Sequence, residues 1–492
     1  MLMIVLMIFH KGFAANGDSI FNIKKIHSLY ITFPYPGFYD SLIKTNTTDL
    51  YLQVNIKFND KIIDTVGIKV KGNSSFNTPS QKKSFKVDLN NFISTQDLHG
   101  LKKLNFNNSF KDPTFMREKI TNDFIRKFNA PAPRVAYCNV YMNNQLWGLY
   151  TIVENIDAEF CKRWFNNKNG NLFQGDPKGS LQWRGSANQS LYTGDYDLEN
   201  NNTANNWSDL IILINTINNS PSNNFKQNLD TILHTGNFVK QWAVLNLFAS
   251  FDSYIGSGHN YFIYHDTILR KFQWIAWDNN ESFGSFKFSL TNPQILATDI
   301  FYLNMPASKP LCDKMLKDSL FKKMYIDSFC MIFNSFTNEY FNPIIDSLYP
   351  FIKPSVYNDP KKMYTNNDFE TNITSDIFLP GPGGLNVFGL KNFIRDRSAV
   401  VKTSLTTNKL SCLFYSDLIK NDIETTFIRY ILHNNEFFFS ENIDVSLFDL
   451  IGRKIISRKA VSNLNIDQYP NATYILMIHQ KDATSQVKFF KE

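Results

Sequence analysis

Apolar and polar residues alternate in short runs over the first part of the chain. From Ile20 to about Leu89, segments such as "YLQVNIKF" and "VGIKVKG" are separated by Asn, Asp and Gly residues. Strict alternation puts one side of a segment in a core and the other in solvent, which is the pattern of half-buried strands. The sequence therefore predicts an antiparallel sheet in this region.

A helix and a hairpin are predicted next. Apolar residues recur at every fourth position, at Met116, Ile120, Phe124 and Phe128. Asp112 can cap this helix and Pro113 suits its first turn. The stretch "VAYCNVYMNNQLWGLYTIVENID" then alternates on both sides of Asn143-Asn144, which predicts a hairpin that turns at this pair.

The rest of the chain changes character three times. Residues 177–226 are rich in Asn, Ser and Gly, which predicts a long excursion or lid outside the core. Residues 238–251 are nearly all apolar and predict a central buried helix, and 311–404 predict further helices interrupted by loops such as "LPGPGG". Short strands return after a boundary near 405–415 and predict a small β-sandwich. The predicted fold class is α+β.

Composition narrows the functional class. The 492 residues are 43% hydrophobic and 15% aromatic, which is typical of a globular protein. The net charge of +7 is diluted over a large surface with no long basic run, so nucleic acid is not an expected partner. No stretch reaches the about 20 apolar residues of a membrane helix.

The N-terminus "MLMIVLMIFHKGFAANGD" combines nine apolar residues with the small residues Gly12, Ala14 and Ala15. This predicts a secretory signal peptide over residues 1–15, although a mis-chosen start or a buried strand also fits, since a basic n-region is missing. The five cysteines are scattered without CxxC spacing, and no HExxH pattern occurs. We therefore expect buried thiols, not a disulfide framework or a zinc site.

One stretch, "FDSYIGSGHNYFIYHDTILRKFQWIAWDNN", places Asp252, Asn260 and Asp278 among aromatic residues. A hairpin centred on residue 269 would set Asn260 opposite Asp278, with Cβ atoms about 5 Å apart, so that both could ligate one Mg²⁺. Asp252 could then accept the proton of an attacking hydroxyl, as in protein-kinase phosphoryl transfer. A turn cap at Asp252 and strand ends at the other two fit the residue types equally well.

Four segments carry a family resemblance: "VKGNSSFNTPSQKKSFKVDL", "FMREKI", "YMNNQLWGLYTIVENID" and "WDNNESFG". Their order and spacing resemble the CotH family, the spore-coat-protein-H-like atypical protein kinases, over residues 28–404. The resemblance implies a two-lobed kinase-like domain around an ATP cleft that phosphorylates Ser or Thr of a protein substrate. Asp252 would be the catalytic base, and Asn260 and Asp278 would hold Mg²⁺.

The resemblance also implies residues around the nucleotide. Lys83, which we expect on the buried strand face with Phe85 and Val87, would bind phosphate. Glu118 would pair with that lysine, although a surface charge also fits. Glu154 would lie near the nucleotide, or at a solvated strand end.

Three departures accompany the resemblance. A short turn of Gly72, Asn73 and Ser74 stands in place of a GxGxxG loop as the phosphate cover. Asn260 lies eight positions after Asp252, a longer spacing than in HRDxxxxN. Asn280 occupies the second metal position where many relatives have Asp, which keeps an oxygen ligand but loses a charge. A catalytically inactive surface or adhesion protein is therefore the alternative; a hydrolase using paired carboxylates lacks a second acid in a matching motif.

Residues 415–492 resemble the C-terminal sorting domain of the Bacteroidetes type IX (Por) secretion system. Phe448-Asp449, Gly452-Arg453, the "YP..TYIL" strand and a basic end carry this resemblance, although any small β-sandwich fits the strand pattern too. It implies that the type IX machinery is a partner. The protein would be secreted or associated with the outer membrane at the surface of a Gram-negative bacterium.

Overall fold

The computed structural model describes residues 16–22, 24–380, 384–408, 410, 412, 430–433, 436–449, 452–470, 472–479 and 484–490. The predicted signal peptide, residues 1–15, lies outside the described residues. The chain divides into two compact units, Met1–Phe414 and Tyr415–Glu492. Within the described residues, none of the helices has the length and apolar content that crossing a bilayer requires.

A closed barrel of seven strands forms the first part of the larger unit, in the order β1-β2-β3-β4-β5-β7-β6. The strands are β1 (Ile26–Thr32), β2 (Leu52–Phe58), β3 (Lys61–Val70), β4 (Phe85–Asp88), β5 (Lys103–Asn107), β6 (Val135–Met142) and β7 (Gln145–Glu154), with the short helices α1 (Asp18–Phe21) and α2 (Phe38–Thr48). The predicted strands are confirmed. Alternation sends Ile68, Val87 and Phe106 into the barrel core and their neighbours outward.

Helix α3 (Arg117–Lys127) confirms the predicted helix but not its predicted start. Asp112 lies in the preceding turn, where its Oδ2 accepts from Arg117 N over 2.9 Å, while Met116 is the N-cap residue. Asp112 was therefore wrong as N-cap, since its carboxylate reaches the first helical N–H from five residues upstream. The β6–β7 hairpin is confirmed: Asn143 and Asn144 both have positive φ, as a type I′ turn requires.

The second part of this unit is mainly helical and holds a large apolar core. Its helices are α4 (Ala158–Phe165), α5 (Ser208–Asn219), α6 (Phe225–Ile232), α7 (Thr235–Leu247), α8 (Asn292–Leu296), α9 (Pro310–Lys317), α10 (Ser319–Phe333), α11 (Asn338–Tyr357), α12 (Asn366–Thr371) and α13 (Leu390–Thr407). Its strands are β8 (Leu172–Gln174), β9 (Asp197–Leu198), β10 (Tyr261–Asp266) and β11 (Lys271–Ala276), in the sheet order β11-β10-β8-β9, and the pair β12 (Ile377–Leu379) and β13 (Leu385–Val387).

Two predictions for this region have mixed outcomes. Helix α7 is almost completely buried, as expected, but it ends at Leu247 and a turn follows. The prediction that 177–226 lies outside the core was wrong. Leu181 and Tyr192 are buried in the core, and α5 adds core residues that include Leu210, Leu213 and Ile214. Apolar residues at helical spacing therefore outweigh the Asn-rich composition there.

The cysteines also differ from expectation. Cys330 and Cys412 form a disulfide, which joins α10 to the segment after α13, while Cys138, Cys161 and Cys312 are buried free thiols. The expectation of thiols alone was wrong for this pair. The two residues lie 82 positions apart, so no local spacing motif marks them.

The smaller unit contains β14 (Tyr430–His433), β15 (Glu436–Asp449), β16 (Lys454–Asn465), β17 (Thr473–His479) and β18 (Thr484–Phe490). In the described part of this unit the strands belong to one sheet, ordered β14-β15-β17-β18, with β16 paired to β15. The predicted sandwich of two sheets stays a prediction.

Candidate active site

The β10–β11 hairpin differs from the predicted register by one residue. Tyr261 pairs with Ala276, and Trp277 N donates to Asn260 O over 3.3 Å. The predicted pairing of Asn260 with Asp278 was therefore wrong. The loop spans four residues, and Asp266 Oδ1 accepts backbone N–H groups inside it, which centres the turn half a residue earlier.

Asn260 and Asp278 nevertheless leave the strand pleat in the same way. Both have left-handed backbones, with φ of 61° and 56°. Asn260 Nδ2 donates to Asp252 O over 2.8 Å, which fixes the orientation of the amide. Within the described residues no donor reaches Asn260 Oδ1, so this oxygen is available as a ligand.

Lys71, directly after β3, is the cation that faces these acidic groups. Burial lowers its pKa, whereas the carboxylates of Asp278 and Glu118 raise it. Its Nζ lies 3.5 Å from Asn105 Oδ1 and 5.1 Å from the centre of the Trp277 ring. Lys71 is therefore the lysine that lies near Asp278 and Glu118.

Lys83 lies elsewhere, because β4 begins only at Phe85. Its Nζ donates to Phe76 O over 2.7 Å and to Thr78 O over 2.6 Å, in the turn before the strand. The placement of Lys83 on a buried strand face was wrong. The sequence signal for Lys71 is the alternation in "VGIKVKG": Ile68 and Val70 point into the barrel core, so Lys71 lies on the opposite face of the strand pattern.

Glu118 on α3 is a buried carboxylate, only 3% exposed, so the surface-charge alternative is excluded. Its Oε2 accepts from Asn107 Nδ2 over 2.8 Å, and its Oε1 has no hydrogen-bond partner among the described residues. Burial, followed by the charge of Asp278, raises the pKa of Glu118 to about 8. Glu118 faces Lys71 and not Lys83.

Asp252 lies in the turn after α7, on the same side of the site. Its charge raises the pKa of Asp278, after the larger effect of burial and against the opposing effect of Lys71. Its Oδ1 lies 3.5 Å from His259 Nε2. The structure thus brings Asp252, Asn260, Asp278, Glu118 and Lys71 together.

Glu154 at the end of β7 is engaged in a buried ion-pair cluster. Its Oε1 lies 2.7 Å from Arg134 Nη2 and its Oε2 lies 2.7 Å from Arg163 Nη2. These two arginines hold the pKa of Glu154 below its usual range, although burial opposes them. The alternative of a solvated strand end is wrong, since Glu154 is buried. Its position near a nucleotide stays a prediction.

The turn at Gly72 follows Lys71 directly. Gly72 has φ +96°, and a Cβ at this position would collide with Ser75 Oγ, so glycine is required. Asn73 O accepts the N–H of Phe76 over 3.2 Å and closes the turn. Asn73 and Ser74 are exposed, where they can contact a ligand of Lys71.

Asn280 lies two residues beyond Asp278, half-buried, with its Nδ2 3.5 Å from Phe110 O. The next residue, Glu281, pairs with Lys111 over 2.6 Å. Burial raises the pKa of Glu281 to about 7. The sequence analysis missed this ion pair, because nothing in the pattern links residues 170 positions apart.

The donor set fits magnesium with a phosphate ligand. In the described residues no three His, Cys, Asp or Glu side chains converge as a metal site. Mg²⁺, however, is usually held by one or two carboxylates, with phosphates and waters completing the shell. Asp278 and Oδ1 of Asn260 are oxygen donors of the kind that such a shell uses.

Comparison with known proteins finds similarity over most of the larger unit. A protein-family model described as "CotH kinase protein" matches residues 68–400, a span that contains Lys71, Glu118 and Asp278. The Inner spore coat protein H of Bacillus subtilis (strain 168) is 24% identical over 348 residues. That alignment covers 70% of this chain and 90% of the spore coat protein.

Proposed function

The chain belongs to the CotH kinase protein family, and from this premise we propose that it is an exported protein kinase. It transfers the γ-phosphoryl group of ATP to a serine or threonine hydroxyl of a protein substrate. In this proposal the barrel and the helical part are the two lobes of a kinase-like domain. The observation that carries the proposal is that Lys71 interacts electrostatically with the carboxyl groups of Asp278 and Glu118, while Asp278 interacts with Asp252.

Each side chain then has a role in the transfer. Asp252 accepts the proton of the attacking hydroxyl, as the catalytic aspartate of protein kinases does. Lys71 binds the phosphates and Glu118 holds Lys71 in place. Asn260 and Asp278 are the ligands for Mg²⁺, which when bound neutralises charge on the phosphates.

Export is the second half of the proposal. A disulfide between Cys330 and Cys412 is typical of an oxidising compartment. Two residues of the sorting-domain resemblance are in contact, since Asp449 Oδ1 accepts from Arg453 N over 2.8 Å. We infer that the type IX machinery carries the chain to the surface of a Gram-negative cell.

The proposal is tested on the mature chain, residues 16–492, with radiolabelled ATP, Mg²⁺ and a serine-rich acceptor such as casein. We expect label on acceptor serine or threonine. Asp252→Asn should abolish transfer while nucleotide binding persists, and Asp327→Asn, at an exposed helix position, should leave transfer unchanged. Label transfer by the Asp252→Asn variant would contradict the role of Asp252.

The alternative is a catalytically inactive surface or adhesion protein, favoured by the amide at Asn280 in place of a metal-binding carboxylate. Thermal unfolding separates the two functions. A ligand at 100 times its Kd stabilises the native state by about 2.7 kcal/mol, so MgATP should raise the unfolding temperature of a kinase. If MgATP does not raise the unfolding temperature and no phosphate is transferred, the results would favour the binding protein.

A further inference from the structure

The loop between Asp252 and Asn260 folds back on itself. Gly258 N donates to Ser253 O over 3.0 Å, and Asn260 Nδ2 donates to Asp252 O over 2.8 Å. This loop is longer than the HRDxxxxN spacing, and its additional residues let its end fold back next to its beginning. His259, between these two anchors, is brought back beside Asp252.

The imidazole of His259 lies between two carboxylates. Its Nε2 is 3.5 Å from Asp252 Oδ1, and its Nδ1 is 3.9 Å from Asp176 Oδ1. Nδ1 is buried and has no hydrogen-bond partner among the described residues. Asp278 also faces this group, since its charge interacts with Asp252, His259 and Asp176.

We propose that His259 is a positioning residue for Asp252, an inference that rests on the proposed function for its consequence in catalysis. The Nε2–H group directs itself at Oδ1 of Asp252 and leaves Oδ2 for the hydroxyl of the acceptor. Asp176 Oδ1 lies on the far side of the ring, 3.9 Å from Nδ1. The separation of 3.5 Å is longer than a formed hydrogen bond, and such contacts shorten when the substrate is bound.

This role explains the departure of the loop from the usual kinase spacing. The side chain of a general base must hold one oxygen toward the proton that it accepts. Without such a contact, the carboxylate of an aspartate rotates readily about χ2, because this torsion has a broad distribution. A second contact, made by a ring on a loop that is hydrogen-bonded on both sides of His259, removes this freedom.

The test combines a double-mutant cycle with kinetics. The parent, His259→Ala, Asp252→Asn and the double variant are unfolded by urea without nucleotide or divalent ions. Coupled residues give a double-variant shift in midpoint that differs from the sum of the single shifts. This readout does not depend on activity. Measuring kcat and KM for ATP then tests the consequence.

We expect the midpoint shifts of His259→Ala and Asp252→Asn to be coupled. We also expect kcat of His259→Ala to fall by about 10-fold to 100-fold. KM for ATP should stay within about twofold of the parent, because the contact orients the base and does not touch the nucleotide. His259→Gln should recover most of the rate, because its amide N–H reaches as far as Nε2–H. The matched control is His265→Gln. His265 lies on β10 and pairs with Asp209 of α5, so this variant should keep the parent rate.

Additive midpoint shifts together with a parent-like rate for His259→Ala would overturn the proposal. Equal losses in the Ala and Gln variants with raised KM and no coupling would also overturn it, because they indicate a structural role. Coupling in a parent that transfers no phosphate would refute the proposed kinase function while supporting the positioning of Asp252 by His259.

Discussion

Lys82 Nζ donates to Asp359 Oδ2 over 2.6 Å, and both side chains are completely buried. The pair joins the turn before β4 to the segment after α11, 277 positions apart in the chain. The same ammonium donates to Leu149 O over 2.5 Å, and the same carboxylate accepts from Leu149 N over 3.0 Å. The barrel and the helical part are thus joined by a buried, hydrogen-bonded ion pair.

Removing the cation of this pair should be strongly destabilising. Lys82→Met leaves the Asp359 carboxylate buried and without its charge partner, a situation that costs about 3–5 kcal/mol. Urea unfolding should show a loss of this size. Lys57→Met, at an exposed position of β2, should change the free energy of unfolding by no more than about 0.5 kcal/mol. Equal midpoints for the two variants would contradict the assignment.

Lys71 and Lys83 form a natural matched pair for nucleotide binding. Lys71→Met should remove most of the stabilisation by MgATP, because Lys71 is the ammonium that faces Asp278 and Glu118. Lys83→Met should keep it, since its Nζ binds carbonyl oxygens of a turn. The measurement is the unfolding temperature with and without MgATP. The opposite ranking would restore Lys83 as the phosphate-binding residue.

These two lysines show which features the sequence predicts and which it does not. Alternation predicted the strands and the 3.6-residue period predicted α3 and α7, because both signals arise from burial of one face. The exact residues at which strands begin and end were predicted less accurately. Lys83 was placed on a strand that begins two residues later, and a turn centred half a residue earlier shifted the β10–β11 register.

Long-range pairing was the other limit. Glu118 was found from its helix, but its partner depends on which strand crosses that helix. The Cys330–Cys412 disulfide joins residues 82 positions apart, and Glu154 meets Arg134 and Arg163 only in the folded chain. Such contacts are set by tertiary packing, which periodicity and spacing do not encode.

The raised pKa of Glu118 predicts a dependence of stability on pH. The pKa is about 8 in the folded protein against 4.5 as the ordinary value. Between these values the folded state keeps a proton that the unfolded state has released, so stability falls as pH rises, by at most about 1.4 kcal/mol per unit. Glu118→Gln cannot ionise and should lose this slope. Urea unfolding at pH 5 and pH 8, without divalent ions, checks this; parallel losses in parent and variant would contradict it.

The disulfide predicts both a thiol count and a stability effect. Denatured protein should expose three reactive thiols without reductant and five after reduction, because Cys330 and Cys412 are paired. Cross-linking a loop of this length lowers the entropy of the unfolded chain and should contribute about 4 kcal/mol. Cys330→Ser should therefore lower the urea midpoint of oxidised protein. Five thiols without reductant would exclude the pair.

Asn280→Asp should strengthen the metal site. The amide of Asn280 makes only one long contact, 3.5 Å from Phe110 O, so an aspartate loses little there. The added carboxylate lies two residues from Asp278 and next to Glu281, so repulsion should lower the stability of the metal-free protein. When a divalent ion is bound, the same substitution should raise stability, because a second carboxylate adds attraction for the cation. We expect the Mg²⁺ concentration for half-maximal ATP binding to fall by about tenfold, or about 1.4 kcal/mol. Asn219→Asp, at the exposed end of α5, should not change it. An unchanged requirement in Asn280→Asp would mean that residue 280 does not face the ion.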